Sequence, residues 1–232
     1  MNKFQLISRI LKTVFVNPFS TKRALQRLKK RYVSFSTIID IGASDGRWSK
    51  NCMKIYPQSE YFLIEAQKEH EQRLMEFKNS CNNVNYIISA AGDKGGKIFF
   101  DKTDLFGGVA SYQKLKENCI EVNMTTIDSI VAENGLKPPF LLKLDTHGFE
   151  EKIINGASKT LENTEMLIVE AYAHPINGTF RFFELCAFLK EKGFLPAEIV
   201  DLMLRPYDNS LWQMDIIFVK DTDSKFRYDE YE

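Results

Sequence analysis

Short apolar runs alternate with longer amphipathic stretches between residues 37 and 219. Residues 37–41, 61–64, 84–90, 140–144 and 166–169 are near-continuous runs of β-branched and aliphatic side chains. Such runs mark strands buried on both faces of a parallel sheet. Residues 47–56, 126–134, 149–154 and 157–161 read as helices, the last two separated by Gly156, with a polar helix over 67–79 and an amphipathic one over 179–192. The last of these closes at Gly193, and Thr125-Thr126-Ile127-Asp128 reads as a capping box opening the helix that ends at Gly135. Residues 97–101 predict an added antiparallel strand, and residues 119–124 alternate like an edge strand. Residues 196–202 and 212–219, joined by the turn-rich segment 205–210, predict a closing antiparallel pair. Five strand–helix units and a terminal hairpin give an α/β fold: a Rossmann-like seven-stranded, mostly parallel sheet with helices on both faces. A dinucleotide fold more often ends on a sixth parallel strand.

Ahead of this core, Phe4, Ile7, Ile10, Leu11, Val14 and Phe15 fall on one helical face, and Asn17-Pro18 ends that helix. Ser20 is placed to cap a second helix carrying Ala24, Leu25 and Leu28. The expected organisation is a basic helical lead-in over residues 1–35, a catalytic domain over 36–220 and an acidic tail over 221–232. The lead-in has nine lysines and arginines and no acidic residue before Asp40. It can pack on the domain with a solvated basic face, or make peripheral contact with an anionic membrane surface.

Composition narrows the class. The 232 residues are 44% apolar, enough for one domain with a substantial core, and the 31 basic residues balance the 31 acidic ones. Cys52, Cys81, Cys119 and Cys186 are dispersed, without metal-pair spacing, which fits a reducing cytoplasm. Arg9 and Lys12 interrupt the one early apolar run, and no stretch is long enough to span a bilayer.

The first apolar run leads into Asp40, Gly42, Ala43, Ser44, Asp45 and Gly46. Gly42 and Gly46 permit a tight turn, and the following helix aims its N–H groups back at a ligand. The dinucleotide fingerprint has glycine where Ser44 stands. The D-x-G-x-x-x-G pattern resembles the first motif of class I S-adenosylmethionine (SAM) methyltransferases, whose ligand has no phosphate but an amino-acid end. Glu65, closing the second strand before Ala66, can accept hydrogen bonds from ribose hydroxyls. Ala90, closing the third strand, and Ala91-Gly92 after it leave room for an adenine ring, and the glycine-containing segment 104–112 can shape an acceptor pocket.

Strand carboxyl ends share one edge of a parallel sheet. That rule brings Asp40, Glu65, Asp145 and Glu170 to one rim, with His147 beyond. Lys143 interrupts a buried strand and needs a carboxylate partner; period-two alternation puts it on the side of Asp145. Glu170 is either functional or a neutralising partner for Lys143. His147 is a candidate general base near neutrality, or a turn residue. Asp145, Glu170 and a histidine can also hold a divalent cation. His70, among charges in a polar helix, is expected at the surface, and His174-Pro175 in a loop.

The segments PFLLKLDTHGFEEKIINGASKTL and EMLIVEAY resemble the signature half of the FkbM family of SAM-dependent methyltransferases. IIDIGASDGRWS, YFLIEA, ISAAGDKGG, TTIDSIV and WQMDIIFV follow in the family's order, so the likeness spans residues 37–219. It implies a SAM-dependent O-methyltransferase acting on a hydroxyl of a sugar, in a glycan, glycolipid or natural product. It also implies cofactor contacts at Asp40, Gly42, Gly46 and Glu65, and the strand-end aspartate at Asp145. Many members have an acid or amide where this chain has His147. The alternatives are an NAD-dependent oxidoreductase and a catalytically silent SAM-fold binding module. No nucleic-acid partner is expected, because Pro138-Pro139-Phe140 precedes its strand, whereas the prolyl-prolyl-aromatic motif of base methyltransferases follows one.

Overall fold

The chain folds into alternating strands and helices, described by a computed structural model over residues 17–31, 33–176 and 179–223. The helix expected over residues 4–15 and most of the expected acidic tail lie outside the described residues. In chain order the elements are α1 (Thr21–Lys30), β1 (Thr37–Ile41), α2 (Arg47–Met53), β2 (Glu60–Glu65), α3 (Glu71–Ser80) and β3 (Val84–Ile88). Then come β4 (Ala90–Ala91), β5 (Gly96–Asp101), β6 (Val109–Ser111), β7 (Ile120–Thr125), α4 (Ile127–Asn134), β8 (Phe140–Leu144), α5 (Glu150–Asn155) and α6 (Ser158–Glu162). The chain finishes with β9 (Thr164–Tyr172), α7 (Phe182–Glu191), β10 (Phe194–Leu204) and β11 (Leu211–Lys220).

The main sheet has seven strands in the order β10-β11-β9-β8-β1-β2-β3. β3, β2, β1, β8 and β9 run parallel, and β11 and β10 add the antiparallel hairpin. β1 and β8 lie at the centre and are buried at every position, which is why both read as unbroken apolar runs. Alternation divides their side chains between two cores. Ile39, Leu142, Leu167 and Ile216 pack on one face with Ile153 and Leu189. Ile38, Leu141, Ile168 and Ile217 pack on the other with Leu25, Leu28 and Leu74.

Several expectations need correction. The third strand ends at Ile88, and Ala90–Ala91 instead pairs with β7 in a second sheet ordered β4-β7-β5-β6. β7 is therefore an interior strand of that sheet, although it alternates like an edge. β9 runs on to Tyr172, so Glu170 lies inside its strand. Thr126 caps α4 by accepting from the Ser129 N–H, but Asp128 does not complete a capping box. Its carboxylate accepts instead from the backbone N–H groups of Lys159 and Thr160, at the start of α6. The Ser20 hydroxyl donates to the Asn17 carbonyl and does not cap α1. The apolar face of α1 is buried, Thr21 and Arg27 pair with Asp201 and Glu198 on β10, and Lys22, Arg23, Lys30 and Arg31 are exposed.

Candidate active site

A crevice opens where β1, β2 and β8 end, a cavity of about 230 Å³ with predominantly apolar walls. The glycine turn sets its floor. Gly42 has φ +77°, and a Cβ there would stand 2.0 Å from the Asp145 backbone carbonyl. Only glycine lets the ends of β1 and β8 close up this far, which brings Asp145 beside the turn. Ser44 holds a left-handed φ of 50°, as does His147 at 52°. Two of the four non-glycine residues in this sparsely populated region among the described residues stand on the crevice wall, each carrying backbone strain of about 1–3 kcal/mol.

Glu65 ties the turn to the next strand. One carboxylate oxygen accepts from the Ser44 N–H and the other from the Gln67 N–H, each at 2.7 Å. Burial raises its pKa, and the two N–H groups oppose that rise. A carboxylate has about four acceptor sites, so it retains capacity for further donors. Ala66, Ala90 and Ala91 give the wall beside it low relief, and Phe149 and Ile153 line the far side.

Leu105, Phe106 and Gly108 join the crevice wall. The carbonyls of three consecutive residues, 104–106, are each held by a side chain from another segment. The Gln67 side chain donates to Asp104 and Leu105, the His70 ring meets Leu105 at 2.8 Å, and the His147 ring donates to Phe106 at 2.9 Å. The Arg47 guanidinium sits 5.1 Å from the centre of the Phe106 ring. His70 is thus buried in the crevice wall, against the expectation of a surface position. Its neighbours in sequence are charged, but the side chain faces the turn.

Lys143 and Asp145 form the central pair, with Nζ 2.7 Å from Oδ2. Lys143 is buried, and the Asp145 and Asp40 carboxylates outweigh its desolvation to raise its pKa. Burial works against the charge on Asp145, but Lys143 prevails and holds its pKa below the usual value, so it is ionised at neutral pH. Asp40 does not line the crevice. It is fully buried beneath the turn, accepts the Ser49 hydroxyl at 2.7 Å and has Lys143 at 4.0 Å. Its other oxygen, Oδ1, has no hydrogen-bond partner among the described residues. Gly46 also stands off the crevice, against Phe77, Leu63 and Leu74.

His147 uses both ring nitrogens. Nε2 donates to the Phe106 carbonyl, while Nδ1 faces Glu170 at 3.0 Å and the Tyr172 hydroxyl at 2.9 Å. A carbonyl on one side and a carboxylate on the other select the doubly protonated ring. Burial would lower its pKa, but Glu170 and Asp145 push it up to about 9. It is therefore cationic at neutral pH, where a general base would have to be neutral. Glu170 takes the Tyr172 hydroxyl on one oxygen and the Gln213 amide at 2.6 Å on the other. It faces His147; Lys143 is paired with Asp145. Nearby, burial pushes Asp215 up to about 7, Lys143 opposing and Asp145 and Glu170 adding to the shift.

Gly42, Ala43, Ser44, Glu65, Ala66, Ala90, Asp145 and His147 thus share the crevice wall. Glu170 borders two grooves beside it. Trp48, Gln67, His70 and Phe106 were not singled out from the sequence as site residues. For Trp48 a signal existed, an aromatic residue just inside the helix after the glycine turn; its ring lies 5.7 Å from the Lys143 ammonium. His174 stacks on Trp212 at 5.9 Å.

Residues 40–196 match the model of the methyltransferase FkbM domain, well over half of the chain. Among solved structures the fold is similar to an FkbM methyltransferase from Methylobacillus flagellatus, at 16% identity and TM-score 0.52 over 78% of this chain. This chain spans 43% of that one. It is also similar to the fibrillarin pre-rRNA processing protein of Methanococcus jannaschii, at 15% identity and TM-score 0.53, covering 89% of this chain and 77% of that one. A protein described as an rRNA methylase from Clostridium thermocellum gives 11% identity and TM-score 0.51, covering 90% and 99%. At such identities these likenesses speak for the fold alone. No curated protein matches the chain significantly. The family model runs from the glycine turn through the Lys143–Asp145 strand to the terminal hairpin, and the chain belongs to the FkbM methyltransferase family.

Proposed function

We propose that the protein is a SAM-dependent O-methyltransferase that modifies a hydroxyl of a sugar in a glycan or glycolipid. The observation that carries this reading is Asp145, an ionised carboxylate fixed by a buried lysine at the wall of the crevice. When bound, SAM supplies a methyl group activated by a sulfonium. The backbone of the Gly42–Ser44 turn would hold its amino-acid end, Glu65 its ribose hydroxyls, and the small side chains of Ala66 and Ala90 its adenine.

Asp145 takes the proton of the acceptor hydroxyl. That proton leaves as the new bond to oxygen forms, so a weakly basic carboxylate that also aligns the oxygen suffices. His147 does not act as the base at neutral pH. It secures Glu170 on one side and the 104–108 segment on the other, which keeps water from the reacting oxygen. Asp145, His147 and Glu170 each present an atom within 4.8 Å of the others, a set with divalent-ion spacing. A cation there would require His147 to lose its proton and leave its bond to Glu170. We assign the cluster to hydrogen bonding.

The family likeness favours a sugar acceptor over RNA, since the rRNA-related neighbours share the fold only. The thiols of Cys52, Cys81, Cys119 and Cys186 are unpaired, which supports a reducing compartment, the cytoplasm. The apolar face of α1 is buried in the protein, so membrane contact by the lead-in would fall to residues before it. No helix among the described residues is long and apolar enough to cross a membrane.

Incubation of the protein with isotope-labelled SAM and a glycan extract of its host, followed by mass spectrometry, tests the reading. A methylated sugar hydroxyl is expected, and Asp145→Asn should cut turnover by about 10²–10⁴-fold with SAM affinity retained. SAM binding without transfer to any glycan, and no effect of Asp145→Asn, would favour the silent binding module and end the enzymatic reading.

A further inference from the structure

A groove lies against the crevice on the side of the terminal hairpin, and the two share Asp145, His147 and Phe106 as a common wall. Beyond that wall the groove has two characters. One part is an aromatic and apolar surface built by Trp212, Met203 and Ile176. His174 stacks on Trp212 and Tyr172 meets it edge-on at 6.2 Å, so the indole is braced on two sides. The other part is polar and acidic. Glu170 and the Gln213 amide hold each other at 2.6 Å, and Asp104 stands on the loop above.

The charges on this surface do not balance. Lys143 pairs with Asp145 and His147 with Glu170, which leaves Asp104 without a cationic partner on the groove. Among the described residues that line it there is no lysine or arginine. A phosphate or carboxylate entering here would lose solvation, meet the uncompensated charge of Asp104 and find the one cation among the described lining residues, His147, already held by Glu170 and the Phe106 carbonyl, a repulsive arrangement that discriminates against acidic ligands. An uncharged ring loses little. Its apolar face can lie on the aromatic surface while its hydroxyls bond to Gln213, Glu170 and Asp104, the mixture of apolar wall and few polar groups typical of small-molecule sites.

We propose that this groove is the acceptor seat, with Trp212 as platform, and that it takes an uncharged sugar ring and rejects acidic ones, uronic acids, sugar phosphates and polyanions such as RNA included. The inference rests on the sugar O-methyltransferase reading and adds to it the location and charge class of the acceptor. Ring binding here brings a hydroxyl to Asp145, because Asp145 belongs to both the groove and the crevice.

The test uses the full chain, SAM and matched glycosides: neutral hexosides, the corresponding hexuronides and hexose phosphates, and a short RNA. Methyl transfer and tryptophan fluorescence titration are both read. The expected result is transfer to neutral hexosides at least tenfold more efficient than to their acidic counterparts. Trp212→Ala should raise the acceptor KM at least tenfold and abolish the acceptor-dependent fluorescence change, while SAM affinity by calorimetry stays within about twofold. Trp212→Phe, which keeps an aromatic surface, should recover most of the affinity and guards against a folding defect in the alanine variant. Asp104→Asn, which keeps an acceptor for the Phe106 N–H, should shift the acidic-to-neutral ratio toward acidic ligands by at least threefold. Preference for a uronide or phosphate, or an unchanged acceptor KM in both Trp212 variants with folding and SAM binding intact, would overturn the inference and leave the parent reading standing. Transfer to RNA alone, or to nothing offered, would overturn both.

Discussion

The cationic state of His147 has consequences that separate it from a general base. A raised histidine pKa contributes stability fully present below its unfolded value near 6.5 and lost as pH rises through about 9. Wild type and His147→Gln should therefore differ most in urea midpoint below pH 6.5 and converge toward pH 9. Activity of the wild type should fall above about pH 9, as the ring loses the proton that holds Glu170, and the Gln variant should lack that alkaline limb. A rise through pH 9 would instead mark His147 as the base. Lys143 obeys a different logic, since it is the shared counter-charge of Asp40 and Asp145. Lys143→Met should destabilise the fold by about 3–5 kcal/mol in urea titration, because it leaves buried carboxylate without compensation. A loss under 1 kcal/mol would show that Asp40 and Asp145 find other compensation.

Among the elements, the segment over residues 104–108 links site geometry to ligand exchange. Its carbonyls rest on Gln67, His70 and His147, which belong to two different strand ends. Each hydrogen bond adds about 1 kcal/mol, so the segment is held by only a few. The double substitution Gln67→Ala/His70→Ala should speed SAM dissociation by about tenfold in stopped-flow fluorescence. An unchanged dissociation rate would mean that this segment does not control the donor's exit. This element was the least legible in the sequence. Its glycines and polar residues predicted a loop near an acceptor pocket, but the carbonyl contacts join residues some 35 to 41 positions apart. Local patterning carries no record of such pairings.

Across the molecule, both cores share β1 and β8 as their floor, so neither can open without exposing the other. A single cooperative unfolding transition is expected. SAM at about a hundred times its Kd should stabilise the protein by about 2.7 kcal/mol, visible as a higher melting temperature, and NAD should leave it unmoved. Stabilisation by NAD and none by SAM would revive the oxidoreductase alternative. Charge is also a property at this scale. The balanced total conceals a basic α1 at one place and an acidic rim at another, and only the second borders the site.

By itself the sequence determined the parallel core, the terminal hairpin, the glycine turn and the placing of Lys143 on the side of Asp145, while leaving open whether Asp145 or Glu170 neutralises it. Each follows from a short-range rule: a doubly buried strand reads as an apolar run, and a spacing of two keeps side chains on one face. The convergence of Glu65, Asp145 and His147 followed as well, because parallel strands share one carboxyl edge. Tertiary structure alone decided that Asp40 lies beneath the crevice, that His70 turns into it and that His147 is held as a cation. Those outcomes depend on burial and on partners brought from distant segments, and neither quantity is written in the spacing of residues along the chain.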